Sequence, residues 1–428
     1  MPNRYHLWVS GCQMNGSDAR RLADVLDGAG MSAAERFDDA DIAILYSCSV
    51  RQSAEDRVHG QLGQLKSLKA RRPDMVLCVT GCMAGADRAE LQQRYPFVDL
   101  FVSPTDMESL PGLLLSGADD TDSCAPDPTG YGHRVPVSVG VTAIRGCDKY
   151  CSYCIVPYRR GAQRSRTERE IVTEAESLLS RGAKEIVLLG QTVDAWGRDL
   201  TPPSSLASLL RAVADLPGLA RVRFLTSHPN DFTPDLIQAM AEIPQLCEEL
   251  NLPIQAGDDE LLRRMARRYT VRQYLDLVAE IRKAIPGIAL STDVIVGFPG
   301  ESAEQFENTL ELLRRVEFDV VHVAAYSSRP GTAAARKLED DVPQEEKKRR
   351  LHEIEELQTA IASRNNALLV GQEVEVLVER RHKGKWTGRT RSNRLVFFES
   401  ERNLRGQLVT VAVEGAGPWS LRGSLLPS

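Results

Sequence analysis

The 428-residue sequence predicts an α/β protein in three parts: an N-terminal open parallel sheet, a central partial (β/α)6 barrel, and a small C-terminal antiparallel β-barrel. Three observations predict it. Short apolar runs alternate with helical stretches through the first two parts, the pattern of parallel strands joined by helical crossovers. A stretch rich in Pro, Gly and Asp separates those two parts. The tail then loses its helical periodicity and becomes short strands broken by Gly. The expected boundaries are 1–117, a linker at 118–134, 135–366 for the barrel with a connecting helix, and 367–428.

In the first part, strands are expected at Tyr5–Val9, Ile42–Tyr46, Met75–Val79 and Val98–Val102, with helices at Ser17–Ala29, Ser53–Lys69 and Asp87–Tyr95. Cys12, Cys48 and Cys82 each fall just after one of the first three strands. In an open parallel sheet the carboxyl ends of strands share one edge, where ligands bind. Cysteines spaced 36 and 34 residues apart are therefore expected to meet there.

The central part offers six strands: Val137–Ile144, Glu185–Leu189, Arg221–Leu225, Glu249–Pro253, Ala289–Val296 and Val320–Tyr326. These are six of the eight staves of a complete barrel, whose chemistry lies at the strand carboxyl ends. Cys147, Gln191, Ser227, Gln255, Gly297 and Ser327 fall there. From Pro343 to Ala367 a highly charged helix is expected to be a solvated connector. Tail strands are expected at Glu373–Val378, Leu395–Phe398, Leu408–Val413 and Ser420–Ser424.

Hydrophobic residues make up 42% and charged residues 26%, which excludes wholesale disorder. No apolar run approaches the roughly 20 residues of a membrane span, and Met1–Ser10 lacks the features of a secretory leader. A cytoplasmic monomer with no membrane partner is expected. The net charge of −6 is uneven: residues 371–428 carry ten Lys or Arg against six Asp or Glu, leaving the tail at +4 and the rest at −10. A small basic module on an acidic body is the expected form of a tethered nucleic-acid grip. Within it Lys383, Lys385, Arg389, Arg391 and Arg394 are the expected RNA contacts, in a basic loop around Trp386. Phe397 and Phe398 read as core.

Nine cysteines without a leader argue for reduced thiols rather than a disulfide framework. Cys78 and Cys247 lie on apolar patterns and read as packing residues, and Cys124 has no motif context. The run Cys147-Asp-Lys-Tyr-Cys151-Ser-Tyr-Cys154 follows the first barrel strand. Three thiolates satisfy three irons of a 4Fe-4S cubane and leave the fourth iron to a non-protein ligand. A zinc site completed by His228 or His322 competes with this reading, but the spacing and the position at a barrel mouth both favour the cluster.

At this point the chain resembles the radical S-adenosylmethionine superfamily. Further motifs look like its methylthiotransferase family: Gly11-Cys12-Gln13-Met14-Asn15, Cys48-Ser49-Val50-Arg51 with Ala54 to Val58, Thr80-Gly81-Cys82-Met83, and Cys154-Ile155-Val156-Pro157-Tyr158. Leu188-Leu189-Gly190-Gln191, Ser227-His228-Pro229, Leu252 to Gln255, Asp293 to Glu301 and Tyr326 to Thr332 continue the match. The tail is similar to the family's RNA-binding TRAM domain. Tyr46-Ser47 stands where the family typically has Asn-Thr, and Ser328 where Pro is common.

The resemblance implies two 4Fe-4S clusters, one on Cys147, Cys151 and Cys154 and an auxiliary one on Cys12, Cys48 and Cys82, with S-adenosylmethionine as cofactor. It implies that an electron from the first cluster cleaves the cofactor to a 5′-deoxyadenosyl radical, while the auxiliary cluster supplies sulfur. The region after Cys12 and the Arg51–Val58 run most resemble members acting on tRNA that carries isopentenylated adenosine next to the anticodon, at carbon 2 of the base. The alternatives are threonylcarbamoyladenosine in tRNA or a ribosomal protein as target. An electron donor and a sulfur donor are further expected partners. Gly190, Gln191, Tyr153 and Gly297 are expected cofactor contacts, and Arg160, Arg164 and Arg166 are expected to reach phosphate or the cofactor carboxylate. A reading of another class, a non-catalytic iron-sulfur or zinc RNA-binding redox sensor, is disfavoured because a sensor needs no cofactor pocket.

Overall fold

The computed structural model describes residues 4–48, 52–85, 88–103, 106, 109–115 and 135–427. The expected linker 118–134 with Cys124, and Ser49, Val50 and Arg51, lie outside the described residues.

The N-terminal part comprises β1 (Arg4–Val9), α1 (Gln13–Gly28), β2 (Ser32–Ala33), β3 (Ile42–Ser47), α2 (Gln52–Arg71), β4 (Val76–Gly81), α3 (Arg88–Arg94), β5 (Leu100–Val102) and α4 (Leu110–Leu115). Its strands lie in the order β2-β1-β3-β4-β5, all parallel. All six residues of β3 are buried. Ile42, Ile44 and Tyr46 pack in the cluster that holds Leu22 and Leu26 of α1, whereas Ala43 and Leu45 pack in the one that holds Val58, Leu62 and Leu65 of α2. A strand covered on both faces is a continuous apolar run rather than an alternation, and each Leu or Ile so buried contributes about 1.5–3 kcal/mol. α1 begins at Gln13 rather than Ser17, so Cys12 stands at its N-cap.

The central part runs through β6 (Ser138–Thr142), β7 (Ile144–Arg145), α5 (Val156–Arg160), β8 (Arg164–Ser165), α6 (Glu168–Ser180), β9 (Glu185–Leu189), α7 (Leu206–Ala214), β10 (Arg221–Leu225), α8 (Pro234–Glu242) and β11 (Glu249–Asn251). It continues with α9 (Asp259–Arg264), α10 (Val271–Ala284), β12 (Ala289–Val296), α11 (Ala303–Val316), β13 (Val320–Ala325), α12 (Ala333–Lys337) and α13 (Gln344–Ala367). β6, β9 and β10 form one parallel sheet and β11, β12 and β13 another. The bridge Val222–Leu246 joins them, giving the six expected staves in chain order. Three strands are shorter than expected, the sixth only by its last residue, since it ends at Ala325. The first stops at Thr142, after which Ile144–Arg145 pairs with Arg164–Ser165 as a small hairpin. The fourth stops at Asn251, before Pro253, which has no N–H for a ladder.

Two packing arrangements position the site. The barrel's edge strand β6 is covered by α1: the Gly140 carbonyl accepts from Arg20 Nη2 (2.8 Å) and Ser17 Oγ (3.2 Å). At the other edge, α13 is not the solvated connector the charge pattern predicts. Lys347, Arg350, Ile354, Gln358 and Ile361 recur at helical spacing and are all buried. Arg350 pairs with Glu301 at 2.7 Å, and Gln358 donates to the Phe318 and Asp319 carbonyls. Three of these five inward residues are polar, so a hydrophobic pattern does not reveal the stripe.

The tail closes into a barrel of β14 (Glu373–His382), β15 (Lys385–Thr390), β16 (Leu395–Phe398), β17 (Leu408–Ala416) and β18 (Leu421–Leu425), ordered β14-β15-β16-β18-β17 with β14 paired to β17. The expected four strands gain β15, made by the basic segment read as a loop. Lys383 and Gly384 both take positive φ, 48° and 84°, the two-residue turn whose twist suits a hairpin. The β16–β18 pair is parallel, so the barrel is not wholly antiparallel. Trp386 and Phe398 belong to its core.

This barrel seats on the amino ends of the central strands through two buried arginines. Arg221 donates to the Arg389 carbonyl (2.7 Å) and to Glu375 Oε1 (2.8 Å). Arg223 binds Glu185 (2.9 Å) and Glu249 (2.8 Å) within the barrel, and the Arg391 (2.7 Å) and Thr390 (2.8 Å) carbonyls of the tail. Among the described residues no helix is long and apolar enough to cross a membrane.

Candidate functional site

Cys12, Cys48 and Cys82 follow β1, β3 and β4 at one edge of the N-terminal sheet. Gly11 adopts φ +110°, and a Cβ there would lie 2.3 Å from Cys48 Cβ, so only glycine lets the Cys12 turn pass this close to Cys48. Asn15 Nδ2 donates to the Ser10 (2.7 Å) and Ser47 (2.9 Å) carbonyls, and the Cys82 amide donates to the Ser47 carbonyl (3.0 Å). The Ser47 hydroxyl donates to the Thr80 carbonyl and accepts from the Met83 amide. The unusual Tyr46-Ser47 pair therefore has two separate tasks: Ser47 ties the Cys48 and Cys82 loops, while Tyr46 is buried in the apolar core near Asp18, Arg145 and Arg160.

The second triad is held at the carboxyl ends of the central strands. The Cys147 amide donates to the Gly161 carbonyl (3.3 Å), the Ser152 amide to Met265 (3.0 Å), and Ser152 Oγ to Arg264 (2.8 Å). Polar groups meet two of its sulfurs. Cys147 Sγ lies 3.2 Å from Thr192 Oγ1, and Arg267 Nη1 donates to Cys151 Sγ at 3.5 Å. Arg267 is itself fixed by the Pro253 carbonyl and the Tyr269 hydroxyl, both at 2.8 Å. Burial raises the Cys147 thiol above its usual range, and burial with the neighbouring Cys151 pushes Cys154 up to about 12.

These surroundings fit an iron-sulfur centre. A bare thiolate is costly in such a dry pocket, and a bound cation would take the place of the proton. An all-sulfur donor set suits iron-sulfur clusters or soft metals rather than hard cations, and N–H donors aimed at sulfur are the outer-shell feature that tunes a cluster. Among the described residues no three His, Cys, Asp or Glu side chains are drawn together around a single-ion position. Thiolates that each hold a different iron of a cubane need not converge on one point. Of the histidines weighed for zinc, His228 is buried with its Nδ1 accepting from the Asn230 amide, and burial lowers it to about 2. His322 is exposed on β13.

Beside this triad, Gln191 Oε1, Asp194 Oδ1 and Ser227 Oγ are buried without a hydrogen-bond partner among the described residues, as expected of groups lining a ligand site. Burial pushes Asp194 up to about 8. Gln191 Nε2 points to Met14 Sδ at 2.7 Å, and Met14 packs with Val187, Leu189 and Leu225. Gly190 and Gly297 are placed by protein neighbours: a Cβ would lie 2.4 Å from Ile144 Cγ2 at the first and 2.3 Å from Lys347 Cγ at the second. Tyr153 is half-buried against the barrel core.

The expected RNA residues divide. Lys383 and Lys385 are exposed on the β14–β15 hairpin. Arg391, by contrast, grips both oxygens of Glu248 at 2.7 Å, Arg394 binds Asp319 (2.5 Å) and Asn366 (2.8 Å), and Arg389 folds back on Asn393. The acidic amino end of the barrel draws Arg391 and Arg394 into the domain seat. Arg166 likewise binds Glu174 and the Thr142 carbonyl, Arg164 lies exposed in β8, and Arg160 turns to the first triad, donating from Nε to Cys82 Sγ at 3.1 Å. Sequence reasoning missed Arg267, one of four arginines between 263 and 268 with no motif to single it out, and Thr192, whose only signal is its place after Gln191.

Three family models match the chain: Uncharacterized protein family UPF0004 over residues 4–103, Radical SAM superfamily over 141–313, and TRAM domain over 367–426. Curated relatives named tRNA-2-methylthio-N(6)-dimethylallyladenosine synthase include one from Roseiflexus sp. (strain RS-1), 50% identical over 99% of this chain and 90% of the relative. Another, from Dehalococcoides mccartyi (strain ATCC BAA-2266 / KCTC 15142 / 195), is 46% identical over 99% and 98%. Among solved structures, the radical S-adenosylmethionine methyltransferase TsrM from Kitasatospora setae superposes with a TM-score of 0.56 at 16% identity, covering 78% of this chain and 77% of that one, a likeness of fold.

Proposed function

The chain belongs to the tRNA-2-methylthio-N(6)-dimethylallyladenosine synthase family of radical S-adenosylmethionine enzymes, and from that premise we propose how its own residues divide the work. The reaction is insertion of a methylthio group at carbon 2 of the dimethylallylated adenosine in tRNA. When bound, one 4Fe-4S cluster supplies the electron for reductive cleavage of S-adenosylmethionine, and a second supplies the sulfur.

Cys147, Cys151 and Cys154 are the residues to hold the first cluster, and Cys12, Cys48 and Cys82 the second. Arg267 and Thr192 orient Cys151 and Cys147 from outside the ligand set. Gln191 and Ser227, with polar atoms unpaired among the described residues, are positioned to bind polar groups of S-adenosylmethionine. Tyr153 walls the pocket between two ligands, and Gly190 and Gly297 keep neighbouring segments close enough to shape it. Met14, Val187, Leu189 and Leu225 form an apolar layer beside Gln191, which would shield a reactive species from quenching on that side. Lys383 and Lys385, both exposed on the β14–β15 hairpin, are the side chains to meet tRNA phosphate, Lys385 giving up an exposed pair with Glu399 at 3.1 Å to do so. An external reductant and a sulfur source complete the cycle, and the chain works as a monomer.

The observation that carries this division is the pair of separate cysteine triads, one at each carboxyl edge. Cys151→Ala is expected to abolish both S-adenosylmethionine cleavage under dithionite and methylthio insertion, read by nucleoside mass spectrometry. Cys48→Ala is expected to retain cleavage and lose insertion. Equal loss of cleavage in both variants refutes the division.

A further inference from the structure

We propose that Arg160 is a positioning residue for the N-terminal cluster, donating to the sulfur of Cys82 and latching that cluster to the loop that carries Cys147, Cys151 and Cys154. The inference rests on reading Cys12, Cys48 and Cys82 as an iron-sulfur site. Arg160 ends α5, the short helix that follows Cys154, yet its side chain leaves the central barrel and buries itself in the N-terminal part. Each of its nitrogens has a partner there: Nε to Cys82 Sγ at 3.1 Å, Nη2 to Asn15 Oδ1 at 2.5 Å, and Nη1 to Asp18 Oδ2 at 3.4 Å.

Asn15 makes this a hub rather than a single contact. Its amide nitrogen is committed to the Ser10 and Ser47 carbonyls, which turns its oxygen toward Arg160 Nη2 at 2.5 Å, with Cys12 Sγ 4.0 Å from the same oxygen. The same Asn15 therefore gathers the turns before Cys12 and Cys48, while Arg160 touches Cys82. The charges facing Arg160 are Asp18, Cys82 and Cys12, with Arg145 on the far side of Asp18 and the buried Tyr46 beside it. Lysine would keep the charge but lose the planar fork that reaches three acceptors at once.

A charged N–H donor on a ligating sulfur stabilises the more negative, reduced state of a cluster, so it raises the reduction potential. The radical loop thus sets the electron affinity of the sulfur-bearing cluster. The test uses full-length protein with Cys147, Cys151 and Cys154 all changed to Ala, reconstituted anaerobically, so that only the second cluster reports. In this background Arg160→Gln should retain about four irons per chain. Its ratio of reduced to oxidised cluster at a fixed potential should fall about tenfold, which is 59 mV for a one-electron couple, followed by EPR-monitored titration. Arg160→Lys should fall between the two. Asp18→Asn, which removes the carboxylate that shares the guanidinium, should move the midpoint the opposite way.

An unchanged midpoint in Arg160→Gln with its irons retained overturns the proposal. Should Arg160→Gln lose its irons, Asp18→Asn decides: an upward shift supports the proposal, and no shift or a downward one overturns it. Failure of the background protein itself to take up iron refutes the reading of the triad instead, so the two failures are distinct.

Discussion

Removing Arg223 should cost more than any single surface contact in this molecule. The guanidinium is buried at the seam between the central barrel and the tail, with Glu185 and Glu249 on one side and two tail carbonyls on the other, four hydrogen bonds of 2.7 to 2.9 Å. Glu185 is itself buried, and Glu249 nearly so. In Arg223→Met the hydrophobic stem is kept, but two carboxylates face each other without a cation. Breaking a buried pair by removing one partner typically costs about 3–5 kcal/mol, most of it the penalty of the charge left behind. For a cooperative unit the size of the central barrel that corresponds to a fall in Tm of roughly 6–10 °C. Calorimetry measures this, and limited proteolysis at the seam should release the tail earlier. If the penalty is stranded charge, Arg223→Met combined with Glu185→Gln and Glu249→Gln should recover much of the loss. A single variant with unchanged Tm, or a triple variant less stable than the single one, refutes the reasoning.

Changing both Lys383 and Lys385 to Ala should weaken tRNA binding and flatten its dependence on salt by roughly 1.5 in the log–log slope, as expected for two lost phosphate contacts. Arg391→Ala, whose guanidinium is held by Glu248, should lower Tm and leave that slope unchanged; titrations at several salt concentrations separate the two. The Asp24 carboxyl is pushed up to about 7, chiefly by burial, from an ordinary value near 3.8. Below pH 4 folded and unfolded chains both hold that proton, between 4 and 7 only the folded chain does, and above 7 the full deficit is present, so its contribution falls as pH rises. Asp24→Asn should therefore stabilise the protein at pH 8 by about 1–2 kcal/mol, discounted for partial solvent access, and do nothing near pH 4, read from urea midpoints.

The architecture was legible because parallel strands buried on both faces leave continuous apolar runs, as in β3, and because Cys12, Cys48, Cys82 and Cys147 each stand just after a strand. All six barrel staves stand where the alternation put them. What escaped the sequence shares one cause: polar side chains turned inward. The buried face of α13 includes Lys347, Arg350 and Gln358, which a hydrophobic pattern counts as solvent-facing. Arg391 and Arg394 looked free because the carboxylates that hold them, Glu248 and Asp319, are 143 and 75 residues away in sequence. β15 was hidden by its charge, since the Lys383-Gly384 turn carries no Asn or Asp to announce it. For Arg160 the sequence located the residue but not its direction, which depends on how the N-terminal sheet docks on β6.

The placement of the tail has a further bearing on substrate choice. It is seated at the amino ends of the barrel strands, whereas both cysteine triads open near the carboxyl ends, and five-residue strands at about 3.3 Å per residue already separate the two by about 17 Å. A nucleic acid held at one end and modified at the other must therefore have a fixed rise between its grip and its target. The body of the enzyme becomes a ruler, and a free nucleoside or a short oligonucleotide, however well its base fits the pocket, cannot span it.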